Sequence, residues 1–466
     1  MQDLTAIVLA AGRGTRMHSK VPKVLHEILG EPLLAYPLRL LSSVGIEKPV
    51  VVIGGDEVGE KVKSTLAPSF NVDWAIQFTA KGTADAVAAG LQNLDGVSGS
   101  VLILCGDVPL LTVETLKNFY DKHCQAQAKM SILTAVLSDG ASYGRVLIDA
   151  AGAPLEIVEA KDATPEQLTV KRINSGTYIV DIDLLRDALA ETDCDNAQGE
   201  YYLTDMVAFA RRQGAATSIY DVVDSREILG INTRSDLIQL ETFMAARISR
   251  YWLDNGVTVR SSETVLIGPD VKIGQDSEIS PGVSLLGTTT IGDDCYVGAG
   301  AQIKNSIISD NVDIKPYSVL EDAEIGERAM IGPFARIRPG SVIGAEAKIG
   351  NFVETKKVNF GKGAKASHLA YIGDAEVGAG SNLGAGTITC NYDGFNKFKT
   401  VIGKRVFVGS DSQLVAPVTL GDDVLVGAGS TVTKNVAANA IVTTRTRQKE
   451  FSGKGMAWRR QANEEK

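Results

Sequence analysis

A repeat of aliphatic side chains at every sixth position restricts the possible folds of this chain more than any other feature. The repeat begins at residue 267, and a Gly often stands next to the aliphatic residue. The positions in phase are Ile267, Ile273, Ile279, Leu285, Ile291, Val297, Ile303, Ile325, Ile331, Ile337, Ile343, Ile349, Val377, Leu383, Thr389, Ile402, Val408, Leu414, Leu420, Val426 and Val432. Such a repeat puts one inward side chain at the same point of every short strand, so that stacked turns bury a common core. The pattern predicts a parallel β-helix.

The phase of the repeat breaks at two places, residues 353–371 and residues 391–400. We expect both to be insertions that leave the coil as loops. Loops on a regular scaffold are where binding and catalytic sites tend to be built. The two breaks are therefore candidate site segments.

The first half of the chain has a different pattern, in which short apolar runs alternate with helical patterns through about residue 230. TAIVLA is followed by PLLAYPLRLLSSVG, and SVLILCGDVPL by TVETLKNFYDKHCQA. This alternation is typical of a parallel sheet covered by helices. Residues 233–253 then keep apolar side chains at helical spacing without Gly or Pro. We expect an α/β domain over 1–234, a linker helix over 235–255, and an all-β domain with a polar tail over 256–466.

Composition argues against several classes of function. Asp and Glu (56) outnumber Lys and Arg (47), and the formal charge of -9 gives no general attraction for nucleic acid or an anionic membrane. The five cysteines lack the spacing of a disulfide framework or a zinc site. The first residues lack the basic region of a signal peptide, and no apolar run approaches the roughly 18 residues of a membrane span. We expect a cytoplasmic protein that binds neither nucleic acid nor membrane.

A basic, glycine-containing loop stands out against this acidic background. LAAGRGTRMHSKVPK, Leu9 to Lys23, follows an apolar strand and gathers Arg13, Arg16, Lys20 and Lys23 around two glycines without an acidic residue. Flexible backbone N–H groups and full positive charges suit a polyphosphate. The stretch is neither a dinucleotide fingerprint, because Met17 takes the third glycine position, nor a P-loop. A solvated basic loop is the alternative.

Two further candidates come from single residues. Asp107, in Cys105-Gly106-Asp107, follows the apolar run Val101 to Leu104, at the end of a strand where open α/β sheets bind ligands and where a carboxylate can hold Mg²⁺. A turn residue before Pro109 is the alternative. His368 is the only histidine of the repeat half, and a base that works near neutral pH is most often histidine. The alternative is a structural hydrogen-bonding residue.

Taken together, the motifs resemble one family along nearly the whole chain and in that family's order. LAAGRGTRMHSKVPK, AKGTADAV, CGDVPL, YGR, INSG and GIN are similar to the nucleotidylyltransferase half of the bifunctional bacterial N-acetylglucosamine-1-phosphate uridyltransferase and glucosamine-1-phosphate acetyltransferases. RIRPG, NFVETKK, SHLAYIGD, GAGTITCNYDG and NKFKT resemble the other half. The resemblance implies a Rossmann-like nucleotidyltransferase domain and a left-handed β-helix.

For the first half, the resemblance implies Mg²⁺-dependent transfer of uridylyl from UTP to N-acetylglucosamine 1-phosphate, with release of pyrophosphate. It implies that Arg16 and Lys23 bind phosphates as catalytic residues and that Asp107 and Asn232 hold the metal. The remaining contacts to nucleotide and sugar would be Leu9, Ala10, Ala11, Gly12, Gln77, Gly82, Thr83, Cys105, Gly106, Gly144, Glu159 and Asn174. From the residues alone, ordinary surface positions are favoured for Gln77, Glu159 and Asn174, and only the resemblance reverses this. Cys105 stands where the family commonly has Tyr, which leaves substrate affinity open to change.

For the second half, the resemblance implies acetyl transfer from acetyl-CoA to glucosamine 1-phosphate, with His368 as general base. The acceptor pocket would be Arg338, Lys356, Tyr371, Asn382 and Lys397. Acetyl-CoA would contact Ala385, Asn391, Tyr392, Ser410, Ala428 and Arg445, although plain coil packing is the alternative for Ala428. The family forms homotrimers with shared acetyl sites, and the polar tail after Thr444 is either loose or an arm across a neighbour.

Three functions fit these features. The favoured one is a bifunctional enzyme that makes UDP-N-acetylglucosamine for the cell envelope. The second is a single-activity sugar-nucleotide pyrophosphorylase on a structural β-helix, and His368 with Arg338 and Lys356 argues against it. The third is a noncatalytic regulatory subunit, which would have no use for Arg16, Lys23, Asp107 and Asn232.

Overall fold

The computed structural model describes residues 4–452, 454 and 456. The chain divides into two compact units, Met1–Arg247 and Ile248–Lys466. The division falls within one helix, Arg234–Asp254, in the segment where the sequence predicts a connecting helix. In the polar tail, residues 445–451 are exposed and form no helix or strand, whereas residues 453, 455 and 457–466 lie outside the described part of the chain.

The first unit is built on a nine-stranded sheet. Its main strands, in spatial order, are Thr217–Asp221, Met130–Val136, Arg172–Asp181, Ser100–Cys105, Leu4–Leu9, Val50–Gly54 and Asp73–Gln77. A hairpin of Arg145–Ile148 and Pro154–Val158 extends it, and Glu27–Ile28 pairs separately with Glu31–Pro32.

The main strands form a parallel sheet, as the sequence predicts, with one exception. Arg172–Asp181 runs antiparallel to both of its neighbours, whereas the other main strands pair in parallel. The chain reaches this strand from Met130–Val136 through the hairpin and one short helix, Pro165–Leu168. Because that connection includes no full crossover helix, the chain enters the strand in the reverse direction.

Helices cover the sheet of the first unit. The α-helices are Ala35–Ser43, Glu57–Leu66, Thr83–Leu91, Val113–Gln125, Pro165–Leu168, Ile182–Glu191, Asp205–Arg212 and Arg234–Asp254, and the 3-10 turns are Thr15–Met17, Lys23–Leu25, Gln92–Leu94 and Ser225–Ile228. Alternate residues of the central strands belong to separate apolar clusters, with Val8 in one and Ile7 in the other. The sheet is therefore buried on both faces, which explains its nearly continuous apolar strands. Among the described residues, no helix combines the length and hydropathy that a membrane span needs.

The second unit is a left-handed parallel β-helix, in which each turn of the coil passes through three columns of short strands. The first column is Thr258–Val259, Glu278–Ile279, Tyr296–Val297, Asp313–Ile314, Met330–Ile331, Lys348–Asn351, Lys365–His368, Asn382–Leu383, Phe407–Val408, Leu425–Val426 and Ile441–Val442. The second is Leu266–Ile267, Ser284–Leu286, Gln302–Lys304, Val319–Glu321, Arg336–Ile337, Glu354–Phe360, Tyr371–Val377, Ile388–Cys390, Gln413–Val415 and Thr431–Val432.

The third column is Lys272–Ile273, Thr290–Ile291, Ile307–Ile308, Ala323–Ile325, Ser341–Ile343, Thr400–Ile402 and Val418–Leu420, joined by the ends of the two seven-residue strands of the second column. A 3-10 turn, Ser262–Thr264, lies in the first coil. All of the predicted inward positions are buried, so the prediction of the coil core is confirmed.

One of the two predicted insertions is wrong. Residues 353–371 remain in the coil, where Thr355, Phe360 and Ala366 take the inward positions. The phase shifts there because the step from Thr355 to Phe360 is five residues instead of six. The second prediction is confirmed for residues 391–399, which leave the coil as a loop closed by a bridge between Tyr392 and Lys397, with Phe395 90% exposed. Thr400 is already back in the third column.

Candidate active sites

The basic loop begins where the first strand ends. Ala10 still bonds to the sheet, through its N–H to the Val52 carbonyl at 2.8 Å, and the chain then turns away. Gly14 has a φ of +58°, and a Cβ on it would lie 2.5 Å from Cβ of Lys23. Glycine at this position therefore allows the interior of the loop to pack against Lys23 at its end.

Four of the predicted residues of the first unit converge beside this loop. Arg16 Nη2 donates to Oδ1 of Asn232 at 2.8 Å. Lys23 Nζ pairs with Asp107 Oδ2 and lies 3.3 Å from the same Asn232 oxygen. The Lys23 and Asp107 side chains are largely buried, at 13% and 19% exposed. Partly buried charges of this kind interact more strongly than exposed ones.

Backbone contacts hold Asn232 in this cluster. The N–H of Ile231 donates to the carbonyl of Asp107 at 3.1 Å. Asp236 accepts from the N–H groups of Asn232 and Thr233, at 2.9 and 2.8 Å, at the start of the helix Arg234–Asp254. A residue far along the chain is thus fixed beside the first loop.

The cluster fits a magnesium ion. The Lys23 ammonium approaches the Asp107 carboxylate and the Asn232 amide oxygen together, so both oxygens face a positive charge. Mg²⁺ prefers oxygen ligands, and it commonly uses one or two protein groups together with substrate phosphates and water. Within the part of the chain that the structure describes, no group of three or more His, Cys, Asp or Glu side chains could hold a metal. Substrate oxygens and water would have to complete the coordination.

A cavity of about 400 Å³ lies next to the cluster and unites most of the predicted nucleotide contacts. They are Leu9, Ala10, Ala11, Gly12, Lys23, Gln77, Gly82, Thr83, Cys105 and Asp107. Gly106 is buried and donates its N–H to the Leu9 carbonyl at 2.9 Å. Arg13, another cation of the basic loop, also lines the cavity.

The start of the helix Thr83–Leu91 forms another part of the wall of this cavity. Gly82 precedes the helix with a φ of +122°, and a Cβ on it would lie 2.4 Å from the carbonyl oxygen of Tyr201. Gln77 donates from Nε2 to the Gly82 carbonyl at 3.1 Å and to Asp85 at 2.8 Å. Thr83 Oγ1 accepts from the Leu203 N–H at 3.1 Å.

A larger cavity, of about 900 Å³, is lined by Arg16, Glu159 and Asn232 among others. Burial raises the pKa of Glu159, the charges of Asp162 and Asp205 add to the rise, and a hydrogen bond from Thr204 opposes it. Glu159 thus shares a cavity with Arg16 and Asn232, and its role as a sugar contact stays a prediction.

The two other predicted sugar contacts do not line this cavity. Asn174 donates its N–H to the Gly144 carbonyl at 2.9 Å. The Oδ1 atom of Asn174 accepts from Tyr178 OH at 2.9 Å and from the Gly176 N–H at 3.1 Å. A Cβ on Gly144 would lie 3.0 Å from Cγ2 of Ile157 and 3.4 Å from Oε2 of Glu159, so the tight contact would be with Ile157.

Cys105 lies on the sheet side of the nucleotide cavity, 3.8 Å from the Gly176 carbonyl. Burial raises the pKa of its thiol to about 12, the Asp107 charge adds to the rise, and Lys23 opposes it. A thiol with such a pKa stays protonated at neutral pH and is a poor nucleophile. Cys105 therefore contributes shape to the cavity rather than covalent chemistry.

In the second unit, His368 ends a strand of the first column and is exposed. Its Nδ1 lies 2.8 Å from Oδ1 of Asn351, its direct partner in the preceding coil. The predicted position of His368 on a loop between coils is wrong, because the segment remains in register with the preceding coil. Because His368 lies on a paired strand, hydrogen bonds to the neighbouring coil fix the position of its backbone.

A cationic group lies on the next column. Arg338 donates to Glu354 at 2.7 Å, which raises the pKa of Arg338, and Tyr371 adds to the rise. Lys356 lies against Lys397 of the loop, and this contact lowers the pKa of Lys397. The Asp374 charge opposes this lowering. Two neighbouring lysines favour an anion such as a phosphate. Arg338, Lys356, Tyr371 and Lys397 are thus brought together, as predicted.

Several predicted acetyl-CoA residues stack on one corner of the coil. A Cβ on Gly384 would lie 2.5 Å from the Ser410 nitrogen, and one on Gly409 would lie 2.4 Å from the Ala428 nitrogen. Ala385, Ser410 and Ala428 therefore follow these glycines in successive turns, and small residues leave the backbone open to a ligand. Asn382 is on the strand paired with that of His368.

The loop supplies two more of the predicted residues. Asn391 is buried at its base and donates to the carboxylate of Asp374. Tyr392 is 60% exposed and donates from its hydroxyl to the Gly394 carbonyl. Arg445 is exposed beyond the last strand, and no described contact joins it to the others.

Known proteins match both units. The MobA-like NTP transferase domain matches residues 6–158, the GMPPB C-terminal domain residues 261–360, and the bacterial transferase hexapeptide (six repeats) residues 399–434. The "Bifunctional protein GlmU" of Exiguobacterium sibiricum is 44% identical over 95% of this chain and 98% of its own length. Those of Pelobacter propionicus and Geobacter sulfurreducens are 45% and 42% identical, over 97% and 96% of this chain and 98% and 97% of their own. The chain belongs to the bifunctional GlmU family.

Sequence reasoning missed several polar residues of these GlmU sites. They are Asp85 beside Gln77, Asp236 beside Asn232, Asn351 beside His368, Glu354 beside Arg338, and Asp374 beside Asn391. Asn351 and Asp374 are each separated from their partner by 17 residues, about one turn of the coil. The spacing of the repeat could therefore have identified them, once the five-residue steps were known.

Proposed function

We propose that the two clusters are the two active sites of a bifunctional enzyme that makes UDP-N-acetylglucosamine. Members of the GlmU family have a uridylyltransferase and an acetyltransferase domain, and this chain is such a bifunctional transferase. The observation that supports the assignment best is the convergence of Arg16, Lys23, Asp107 and Asn232 from distant parts of the chain. The uridylyl site is in the first unit and the acetyl site in the second.

Acetyl transfer is the first reaction. The amine of glucosamine 1-phosphate attacks the thioester carbonyl of acetyl-CoA, the carbon–sulfur bond breaks, and coenzyme A leaves as the thiol. The base removes one proton from the amine as the new bond forms. His368 suits this step because Nδ1 is engaged by Asn351, which leaves Nε2 to take the proton. Lys356 and Lys397 would bind the phosphate of the acceptor.

Uridylyl transfer is the second reaction. A phosphate oxygen of N-acetylglucosamine 1-phosphate attacks the α-phosphorus of UTP, and pyrophosphate leaves. Such reactions depend mainly on positioning and on neutralising phosphate charge. Arg16 and Lys23 supply that charge, and Glu159 and Gln77 hold the sugar and the base. Asp107 and Asn232 would hold Mg²⁺, which neutralises phosphate oxygens when it is bound.

The active form is a homotrimer in this proposal. Tyr317, Phe334 and Phe352 stack on one corner of the coil, with ring centroids 5.2 and 5.4 Å apart, and all three are about half exposed. Leu369 extends the column and is 62% exposed, next to His368. Contiguous apolar surface of this kind is typical of a contact between proteins. Since UTP and acetyl-CoA are intracellular metabolites, we place the reactions in the cytoplasm.

Product analysis by mass spectrometry tests this function. One reaction contains glucosamine 1-phosphate, acetyl-CoA, UTP and Mg²⁺, and the other replaces the first two with N-acetylglucosamine 1-phosphate. We expect UDP-N-acetylglucosamine in both. Product in the second reaction alone would leave a pyrophosphorylase on a structural β-helix, and product in neither would contradict both activities.

A further inference from the structure

The amide of Gln77 has a defined orientation in the nucleotide cavity. Its side chain is buried, and the two hydrogens of Nε2 point at two acceptors, the Gly82 carbonyl at 3.1 Å and Asp85 Oδ2 at 2.8 Å. The opposite orientation would place the amide oxygen against two other oxygens. The amide is therefore held with Nε2 toward Asp85.

The other end of the amide is left for a ligand. No described residue donates a hydrogen bond to Oε1 of Gln77, and this oxygen is not sealed in the core, because Gln77 lines the cavity. Gly82 lines the same cavity, and its backbone N–H donates to no other described group. The cavity wall thus offers a fixed acceptor beside a backbone donor.

The pyrimidine bases differ at the edge that such a wall would contact. Uracil presents a donor, N3–H, between two carbonyl oxygens, whereas cytosine presents an unprotonated N3 beside an amino group. A fixed acceptor faces a donor in uracil and another acceptor in cytosine. A site built to make a hydrogen bond discriminates strongly against a ligand that cannot complete it.

From these contacts we propose that Asp85 is a positioning residue that makes the site selective for uracil over cytosine. It does so by holding the Gln77 amide with its oxygen toward the base. The inference rests on the proposed uridylyl transfer. Asp85 is in the first turn of the helix Thr83–Leu91 and Gly82 immediately precedes that helix, so the start of one helix positions both the backbone donor and the group that orients the amide.

The ratio of kcat/KM for UTP to kcat/KM for CTP tests the role of Asp85 in the full-length enzyme. Asp85→Leu removes the acceptor, Asp85→Asn keeps an oxygen in its place, and Asp85→Ala serves if the leucine variant does not fold. Loss of the negative charge alone would change the use of both nucleotides equally, so the ratio isolates the effect on the base. Glu60→Gln, in the first turn of the helix Glu57–Leu66, is the matched control.

We expect the native enzyme to prefer UTP and the ratio to fall about tenfold or more in Asp85→Leu and Asp85→Ala. Asp85→Asn should retain most of the selectivity, and Glu60→Gln all of it. An unchanged ratio in both Asp85→Leu and Asp85→Ala, or equal use of UTP and CTP by the native enzyme, would overturn the inference. Absence of uridylyl transfer from the native enzyme with either nucleotide would instead contradict the proposed function.

Discussion

The Oδ1 atom of Asn351 lies 2.8 Å from Nδ1 of His368, across one turn of the coil. An amide oxygen accepts, so the bonded ring nitrogen carries a proton and Nε2 keeps a free lone pair. The two residues are also direct partners in the parallel ladder. Asn351 therefore fixes the orientation of the His368 imidazole, the group that we propose removes the proton.

We expect Asn351→Ala to lower kcat of acetyl transfer by about 10- to 100-fold with little change in KM, because the ring loses its orientation. Asn351→Asp places a negative charge beside the imidazole and stabilises its protonated form. The acid limb of the pH–rate profile should then move to higher pH. Steady-state kinetics from pH 5 to 9 measure both effects, and wild-type profiles for both variants would contradict the positioning role.

Lys397 gives a second prediction, because the neighbouring Lys356 weakens its charged state. The neighbouring Lys356 lowers the pKa of Lys397, so Lys397 loses its proton at a lower pH than an ordinary lysine. The KM for glucosamine 1-phosphate should therefore rise in the alkaline range. In Lys356→Met this rise should move to higher pH, while KM at pH 7 increases about tenfold.

Lys362→Met is the control for this experiment, since Lys362 is an exposed lysine paired with Glu346. Its KM and pH profile should match those of the native enzyme. If Lys356→Met behaves in the same way, the two lysines do not bind the phosphate.

Replacing Glu159 with a neutral residue should stabilise the folded protein but weaken substrate binding. Burial raises the pKa of this carboxyl in the folded state, so the loss of stability begins as the pH rises above the ordinary pKa of glutamate and is complete above the raised pKa. Glu159→Gln should unfold at a higher temperature than the native protein at pH 7. The gain should vanish as the pH falls below the ordinary range of glutamate, where the carboxyl is neutral in both states.

The same variant should raise KM for N-acetylglucosamine 1-phosphate, because a neutral amide is a weaker acceptor than a carboxylate. Thermal unfolding and kinetics between pH 4 and 8 provide the data. Glu156→Gln, at an exposed position of the strand Pro154–Val158 that precedes Glu159, should change neither quantity. A lower unfolding temperature for Glu159→Gln at pH 7 would show that the carboxylate stabilises the fold.

A side chain at position 82 should disturb the nucleotide cavity, because it would clash with the neighbouring backbone. A Cβ at Gly82 would meet the Tyr201 backbone at 2.4 Å in addition to the strain of a φ of +122°. We expect Gly82→Ala to destabilise the protein by about 1–3 kcal/mol and to raise KM for UTP. Gly152→Ala has a similar positive φ, +83°, but open space around it, so it should cost about 1 kcal/mol and leave KM unchanged. Equal effects of the two variants on KM would contradict this account.

The core of the β-helix was predictable because a strict period leaves little freedom to a stacked coil. The period failed where a turn shortened by one residue, as between Thr355 and Phe360, because such a step changes the phase without leaving the core. The segment around His368 was consequently assigned to a loop. A five-residue turn can be recognised only when the buried residues on both sides are known.

The charged residues of the sites were easier to predict than their partners. Arg16, Lys23 and Asp107 stand in motifs at the ends of strands, where a sheet gathers its ligands. Asp85 and Glu354 show no such signal, since an acidic residue on a helix or a coil is ordinary until its neighbour is known. The reversed strand Arg172–Asp181 was missed because direction depends on the connection and not on the strand's own residues.

The most direct test of two separate active sites measures both activities in His368→Ala and Asp107→Ala. The His368 variant should lose acetyl transfer, by at least about 100-fold, and retain uridylyl transfer at the native rate. The Asp107 variant should show the reverse, because it loses the carboxylate that faces Lys23 and would hold Mg²⁺. Loss of both activities in either variant, with the fold intact by thermal unfolding, would contradict the assignment of one reaction to each unit.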